Sequence, residues 1–268
     1  MNGRTAGHVA IVTGANHGIG AATACALAER DCAVLCAFWR VRDPVDPNVP
    51  EQYRRKRAGD AEAVVAQIHE RGGRALAVEQ DLRDPDAAVR LFDAAEAALG
   101  PVDTLINNAT GWVADTFTPA SRDRHGRSLR PVTAATWSQQ FAVDAMAPAL
   151  LISEFVRRHT ARGGSWGRII GLTSGGGQGF PEEVSYGAAK AAQTNYVMSA
   201  AAELSGLGIT ANMVHPPVTD TGWVTESVRE YVAASGTHLA SPADVAEVIA
   251  YLASDAAALI SGNVIVLR

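Results

Sequence analysis

Cysteine is scarce in this chain. Three occur in 268 residues, Cys25, Cys32 and Cys36, and none lie in a CxxC spacing. Three thiols cannot all pair with one another, so the expectation is small buried thiols in a reducing cytoplasm. A basic excess is missing too. The net charge is -5 and the isoelectric point near 5.8, which argues against a nucleic-acid partner, since such a protein shows a basic face. No apolar run reaches the length of a membrane span. The opening "MNGRTAGHVAIVTG" enters a strand by His8 or Val9 with no signal-peptide core or cleavage site. The seven histidines are scattered without an HExxH or similar spacing, so no catalytic metal is expected. These absences point to a cytoplasmic protein that acts on a small molecule, with no nucleic acid or membrane as partner.

What is present is core material: 47% hydrophobic residues against 19% charged. Short, mostly continuous apolar runs read as strands: "HVAIVT" (8–13), "AVLCAF" (33–38), "RALAVE" (74–79), "DTLIN" (103–107), "GRIIGLT" (167–173), "ITANMV" (209–214) and "NVIVL" (263–267). Such runs suit a parallel sheet covered on both faces. Helical patterns lie between them. Ala61, Val64, Val65 and Ile68 form one apolar stripe, and Asp84-Pro85 and Ser241-Pro242 read as helix starts. The alternation predicts an α/β fold: a doubly wound, seven-stranded parallel sheet with helices on both faces, the Rossmann architecture. No internal repeat or linker divides residues 1–268, so one domain is expected. Two segments exceed a minimal fold, 41–58 with three prolines and a basic run, and the polar 111–132. Loops of that length in a compact domain are usually functional or mobile.

"TGANHGIG" (13–20) follows the first strand and opens a helix. Gly14, Gly18 and Gly20 allow a tight turn and close approach of a pyrophosphate to the helix N-terminus, with Asn16, His17 and Ile19 beside it. An acid at the end of the second strand would hold the 2′-hydroxyl of NAD. Here that end reads "AFWRVR", with Phe38 and Trp39 in the relevant places and no carboxylate before Asp43. Arg40, followed by Arg42, can pair with the 2′-phosphate of NADP. NADP(H) is therefore favoured over NAD(H). His17 and "RRKR" (54–57) add positive field, unless the latter is a solvated helix start.

"SYGAAKAAQ" (185–193) places Tyr186 and Lys190 four residues apart, on one helix face. A nearby ammonium favours tyrosinate and turns the phenol into a usable acid and base. Small neighbours let the helix lie close to a flat ligand. Twelve residues upstream, at the carboxyl end of a strand, Ser174 can hold a carbonyl oxygen while Tyr186 donates its proton.

Taken together, these motifs resemble the short-chain dehydrogenase/reductases over nearly the whole chain. The matching residues are "TGANHGIG", Asp81-Leu82, "NNAT" (107–110), Ser174, "YGAAK" (186–190) and "NMVHPPVTDT" (212–221). The resemblance implies an NADP-dependent oxidoreductase that interconverts a carbonyl and an alcohol. It implies that Asp81 and Leu82 contact adenine, that Asn108 and Ala109 flank a ribose, and that Pro216, Thr219 and Thr221 lie near the carboxamide and pyrophosphate. It also implies a substrate lid over about 218–240 and a homotetramer or homodimer. Trp223 in that lid either caps the pocket or is a core residue. Among members, 3-oxoacyl thioester reductases are the nearest reading. The arginines at 122, 124, 127 and 130 are then either a site for an acidic partner or a solvated loop.

Four positions depart from the family pattern. Asp144 stands where the family has a catalytic asparagine, and an aspartate near Lys190 would neutralise part of the lysine's field. Ser174 precedes Tyr186 by one residue fewer than usual, so strict counting selects Thr173 instead. Thr110 replaces a glycine beside the cofactor. Pro217 replaces a glycine and removes a backbone donor. These departures keep open a second reading, a dinucleotide-binding sensor or scaffold without turnover. Trp112, Phe180 and Trp223 suggest an apolar or aromatic substrate.

Overall fold

A computed structural model describes residues 7–175 and 179–268. The glycine run after Ser174 lies partly outside the described residues, at 176–178, as do 1–6. The main sheet has seven strands: β1 (Val9–Thr13), β2 (Ala33–Phe38), β3 (Ala75–Glu79), β4 (Thr104–Asn107), β7 (Gly167–Leu172), β8 (Ile209–His215) and β9 (Val264–Val266). All neighbours pair in parallel, in the order β3-β2-β1-β4-β7-β8-β9. The expected doubly wound sheet is therefore present, with every predicted strand matched within about a residue or two.

The apolar runs are continuous because both faces are covered. Side chains alternate across a strand, and β1 shows it directly. Ala10 and Val12 enter one core with α1 (Gly18–Ala28), α3 (Glu62–Glu70) and α9 (Pro242–Leu252). Val9 and Ile11 enter the other, with α4 (Ala87–Ala98), α6 (Ala147–Ala161) and α7 (Val184–Glu203). The stripe of α3 is buried as its spacing predicts, at Ala61, Val65 and Ile68.

Ser241 caps α9 with Pro242 behind it, in a reciprocal pair with Asp244. Asp84-Pro85 instead forms a turn, and α4 starts at Ala87 after Asp86. The Asp84 carboxylate accepts from the Asp86 N–H at 2.9 Å and so closes the turn before the helix begins.

The two long segments hold structure of their own. Residues 41–58 contain α2 (Glu51–Arg57), so the basic run is helical. Residues 111–132 contain β5 (Asp115–Thr116) and β6 (Arg130–Pro131), paired with each other. The segments also hold one another. Asp46 accepts from the Ser128 N–H at 2.9 Å, and Asn48 donates to the Gly126 carbonyl at 2.9 Å. Beyond them lie α5 (Ala134–Phe141) and, within the 218–240 segment, α8 (Glu226–Ser235). No helix among the described residues is long and apolar enough to cross a membrane.

Candidate active site

Strand order reverses at β1, which lies between β2 and β4. Open α/β sheets form their ligand crevice at such a switch point. A cleft of about 1400 Å³ opens there, lined by residues that follow β1, β2, β4, β7 and β8. It exceeds the usual range of ~300–1,000 Å³ for a small-molecule site, so it has room for a large cofactor beside a substrate.

The glycine turn is shaped by exclusion. A Cβ on Gly20 would stand 2.1 Å from the Gly14 carbonyl oxygen, and one on Gly18 would meet Thr221 at 2.9 Å. Gly14 and Gly18 also have positive φ, 67° and 57°, which disfavours any side chain. The Asn108 amide donates to the carbonyls of Thr13 (2.9 Å) and Gly14 (3.1 Å), and the N–H groups of Asn108 and Ala109 bind the Thr13 hydroxyl. Asn108 thus splints the turn to β4. Asn16 ties the turn to the end of the 41–58 segment, donating to the Lys56 and Gly59 carbonyls.

His17 does not supply positive field. Burial, then the nearby Arg57 and Lys56, pulls its imidazole down to about 4, so the ring is neutral at neutral pH. Arg40 does not enter the cleft lining. Its guanidinium pairs with Glu79 and with Asp60 at 3.1 Å. Arg42 and Trp39 line the cleft in its place, together with Asp81, Leu82 and Arg83. Arg57 also lines it, held by Asp43 at 2.5 Å.

At the other end, α7 carries Tyr186 and Lys190. Asp115, fully buried, holds the start of that helix. It accepts from the Ser185 N–H at 2.8 Å and the Ser185 hydroxyl at 2.5 Å. Lys190 is 2% exposed, with its ammonium 3.0 Å from Gln193 Oε1 and 5.8 Å from the Tyr186 ring centroid. Ser174 lines the cleft together with the Tyr186 phenol. Thr173 shares a 3.1 Å hydrogen bond with Thr194 of α7 instead.

Asp144 is fully buried in a π-helical turn, Ala142–Met146, between α5 and α6. Its Oδ1 stands 3.0 Å from the Lys190 ammonium. Its Oδ2 accepts from the Gly111 N–H (2.8 Å), the Gln140 amide (2.7 Å) and the Thr110 hydroxyl (3.2 Å). The Tyr186 phenol is pushed well above its ordinary value. Burial is the largest cause, followed by the carboxylates of Asp144 and Glu183, and the Ser174 hydrogen bond opposes them.

Pro216, Pro217, Thr219 and Thr221 line the cleft after β8. Trp223 donates its indole N–H to the Thr219 carbonyl at 3.0 Å, and its ring faces the cleft. Arg127 lies between two indoles, 5.3 Å from the Trp112 centroid and 5.6 Å from that of Trp223. It pairs with Asp123 at 2.6 Å and Glu183 at 3.1 Å.

The sequence pattern missed Gln140, Gln193, Asp115 and Glu183. Helical spacing offered a signal for the first two. Gln140 lies four residues before Asp144 and Gln193 three after Lys190, both on the matching face. Asp115 and Glu183 gave none, because their partners depend on how the 111–132 segment folds back.

The short chain dehydrogenase family model matches residues 8–231. A cis-4-hydroxycyclohexanecarboxylate dehydrogenase from Sinomonas cyclohexanicum is 36% identical over 263 residues, covering 96% of this chain and 93% of that protein. The versicolorin reductase stcU of Emericella nidulans is 31% identical over 284 residues, covering 98% and 95%. Among solved structures, an angucycline C-6 ketoreductase, LanV, with bound NADP superposes with a TM-score of 0.80 at 27% identity, covering 98% and 95%.

Proposed function

The chain belongs to the short-chain dehydrogenases, which are NAD(P)-dependent oxidoreductases, and from that premise we propose an NADP-dependent reductase that converts a ketone or aldehyde to an alcohol. The observation that carries the proposal is the convergence of Ser174, Tyr186 and Lys190 at the end of β7 and on α7, inside one cleft with the glycine turn.

The residues fit a dinucleotide. The glycine turn lines the cleft at Gly14 and Gly18, and the first N–H groups of α1 have no side-chain cap. A bound nicotinamide dinucleotide supplies the hydride that goes to the carbonyl carbon and is itself oxidised. Tyr186 gives its proton to the carbonyl oxygen and is reprotonated from solvent. Ser174 holds that oxygen, and the choice over Thr173 is supported by the Thr173 hydroxyl being engaged by Thr194 of α7. Lys190, 5.8 Å from the Tyr186 ring centroid, would hold the cofactor's ribose. Asn108, Ala109, Pro216, Thr219 and Thr221 shape the cofactor's bed, and Asp81 and Leu82 its adenine end.

For the 2′-phosphate we propose Arg42 rather than Arg40. Arg42 lines the cleft and has no ion pair among the described residues, while Arg40 is engaged by two acids. NADP bound to LanV is consistent with this reading. Trp112, Phe180 and Trp223 favour a cyclic or aromatic substrate, in keeping with the ring compounds named for the relatives.

The test is a fluorescence titration with NADPH and NADH, followed by turnover of 4-oxocyclohexanecarboxylate, cyclohexanone and acetophenone. We expect tighter NADPH binding, weakened about 10- to 100-fold by Arg42→Asp, the loss of a charged hydrogen bond. We also expect loss of turnover in Tyr186→Phe. Tight binding with no turnover of any ketone would favour the sensor reading, for which the Lys190–Asp144 pair is the supporting observation.

A further inference from the structure

Two departures from the family pattern meet in space. Thr110 stands where the resembling motif has glycine, and Asp144 where it has asparagine. The Thr110 hydroxyl donates to Asp144 Oδ2 at 3.2 Å. The same hydroxyl accepts from the Trp112 N–H at 3.2 Å, so its orientation is fixed. The Gly111 N–H and the Gln140 amide complete the donors to Oδ2, and the ammonium of Lys190 meets Oδ1. This is a built carboxylate site. It fills the place behind the lysine with a negative charge rather than a neutral amide.

We propose that Asp144 is a positioning residue: with Thr110 behind it, it closes on the Lys190 ammonium and keeps Tyr186 a protonated proton donor, so that the site is set for carbonyl reduction. The inference rests on Tyr186 being the acid and base of the reaction.

Charge decides the matter. A free ammonium near a phenol favours tyrosinate, whereas an ammonium matched by a carboxylate at 3.0 Å presents little net charge to it. The acids that face Tyr186 disfavour tyrosinate: Asp144 approaches from the π turn and Glu183 from the N-cap of α7, with Tyr53 of α2 acting the same way, while Ser174 at the end of β7 and Lys190 on its own helix act against them. Arg127 offsets Glu183 at 3.1 Å and leaves Asp144 as the acid matched only by the lysine.

The two directions of the reaction need opposite forms of the phenol. Reduction consumes the proton of Tyr–OH, while oxidation requires tyrosinate to take the alcohol's proton. Below the phenol's own pKa, the tyrosinate fraction falls about tenfold for each pH unit. The equilibrium between ketone and alcohol is untouched, because an enzyme does not change it. What changes is the pH at which each direction runs.

The test compares wild type, Asp144→Asn, Thr110→Gly and Tyr186→Phe. Tyrosinate absorbance is followed against pH over the range in which far-ultraviolet dichroism is unchanged, and the Tyr186→Phe curve is subtracted. Asp144→Asn is expected to bring the Tyr186 ionisation down by ~1–3 units, the usual effect of one nearby charge. Cyclohexanol oxidation near neutral pH is expected to rise at least tenfold, and the alkaline fall of cyclohexanone reduction to begin at lower pH. Thr110→Gly, which keeps the carboxylate, is expected to move the ionisation in the same direction by less. It serves as the second variant if Asp144→Asn does not fold. An unchanged Tyr186 ionisation in a folded variant overturns the inference. Full turnover in Tyr186→Phe overturns the underlying assignment of the acid instead, so the two failures are told apart.

Discussion

Lys190 and Asp144 form an ion pair 3.0 Å apart, both sealed from solvent. A buried pair contributes little net stability when complete, yet breaking it leaves one charge stranded. Lys190→Met is therefore expected to lower stability by about 3–5 kcal/mol, with Asp144 left among neutral donors. The double variant Lys190→Met/Asp144→Asn is expected to recover most of that loss. Urea denaturation of the two variants and Asp144→Asn closes the cycle. Equal losses in the single lysine variant and the double variant would show that the lysine acts through packing alone.

Asp115 and Ser185 make a second prediction, about a helix rather than a charge. The carboxylate is the only cap seen for the first turn of α7 among the described residues, and it comes from a strand of two residues seventy positions away. Asp115→Ala strands the Ser185 N–H and hydroxyl, at a cost of about 1–3 kcal/mol. Because Tyr186 follows at once, turnover is expected to fall further than stability alone explains. Ser185→Ala removes one donor only and is expected to cost less on both counts. Thermal melts and turnover of cyclohexanone, measured on the same preparations, check the difference.

What the sequence made legible divides along physical lines. The strands and the glycine turn were readable because each is set locally, by β-branched runs or by backbone that only glycine adopts. The departure at Asp144 was readable, and its contact with Lys190 was foreseen as a neutralising one. Its partnership with Thr110 was not, since the bulk of Thr110 was expected to lie against the cofactor. Arg40 was misplaced for a related reason. Order along the chain put it first after β2, but Glu79 at the end of β3 and Asp60 before α3 draw it outward, and pairing across strands is not written in the local pattern. The arginines of 111–132 were open between a binding surface and a solvated loop. Arg127 turned out to be internal, held by Asp123, Glu183 and two indoles.

His17 gives a pH prediction with a definite sign. Its folded value is pulled down to about 4, from an ordinary value near 6.5, by burial and by Arg57 and Lys56. The unfolded chain therefore takes up a proton that the folded chain refuses. Stability from this group is complete above pH ~6.5 and is lost as the pH falls towards 4. At about pH 5 the loss is at most ~2 kcal/mol, and smaller where solvent reaches the ring. The melting temperature is expected to fall between neutral pH and pH 5, and His17→Gln to flatten that fall. An identical slope in the variant would place the acid sensitivity elsewhere.

Arg127 joins two walls of the cleft. Trp112 belongs to the 111–132 segment, Trp223 to the 218–240 segment proposed as a lid, and the guanidinium lies near both rings while pairing with Asp123 and Glu183. A planar cation is needed for stacking and for two carboxylates at once, so lysine is a poor substitute. Arg127→Ala removes the bridge and leaves Glu183, already raised by burial, without its cation. Glu183 is then expected to take up a proton at a higher pH than in the wild type. With the tie gone, the lid separates from the 111–132 segment more readily. Proteolysis within 218–240 is expected to speed up several-fold, and the intrinsic fluorescence of the tryptophans to change as the cation leaves them. Arg127→Lys is expected to behave more like the alanine variant than like wild type. Unchanged cleavage in both variants would mean that α8 and its small core of Val224, Val228 and Val232 hold the lid without the arginine.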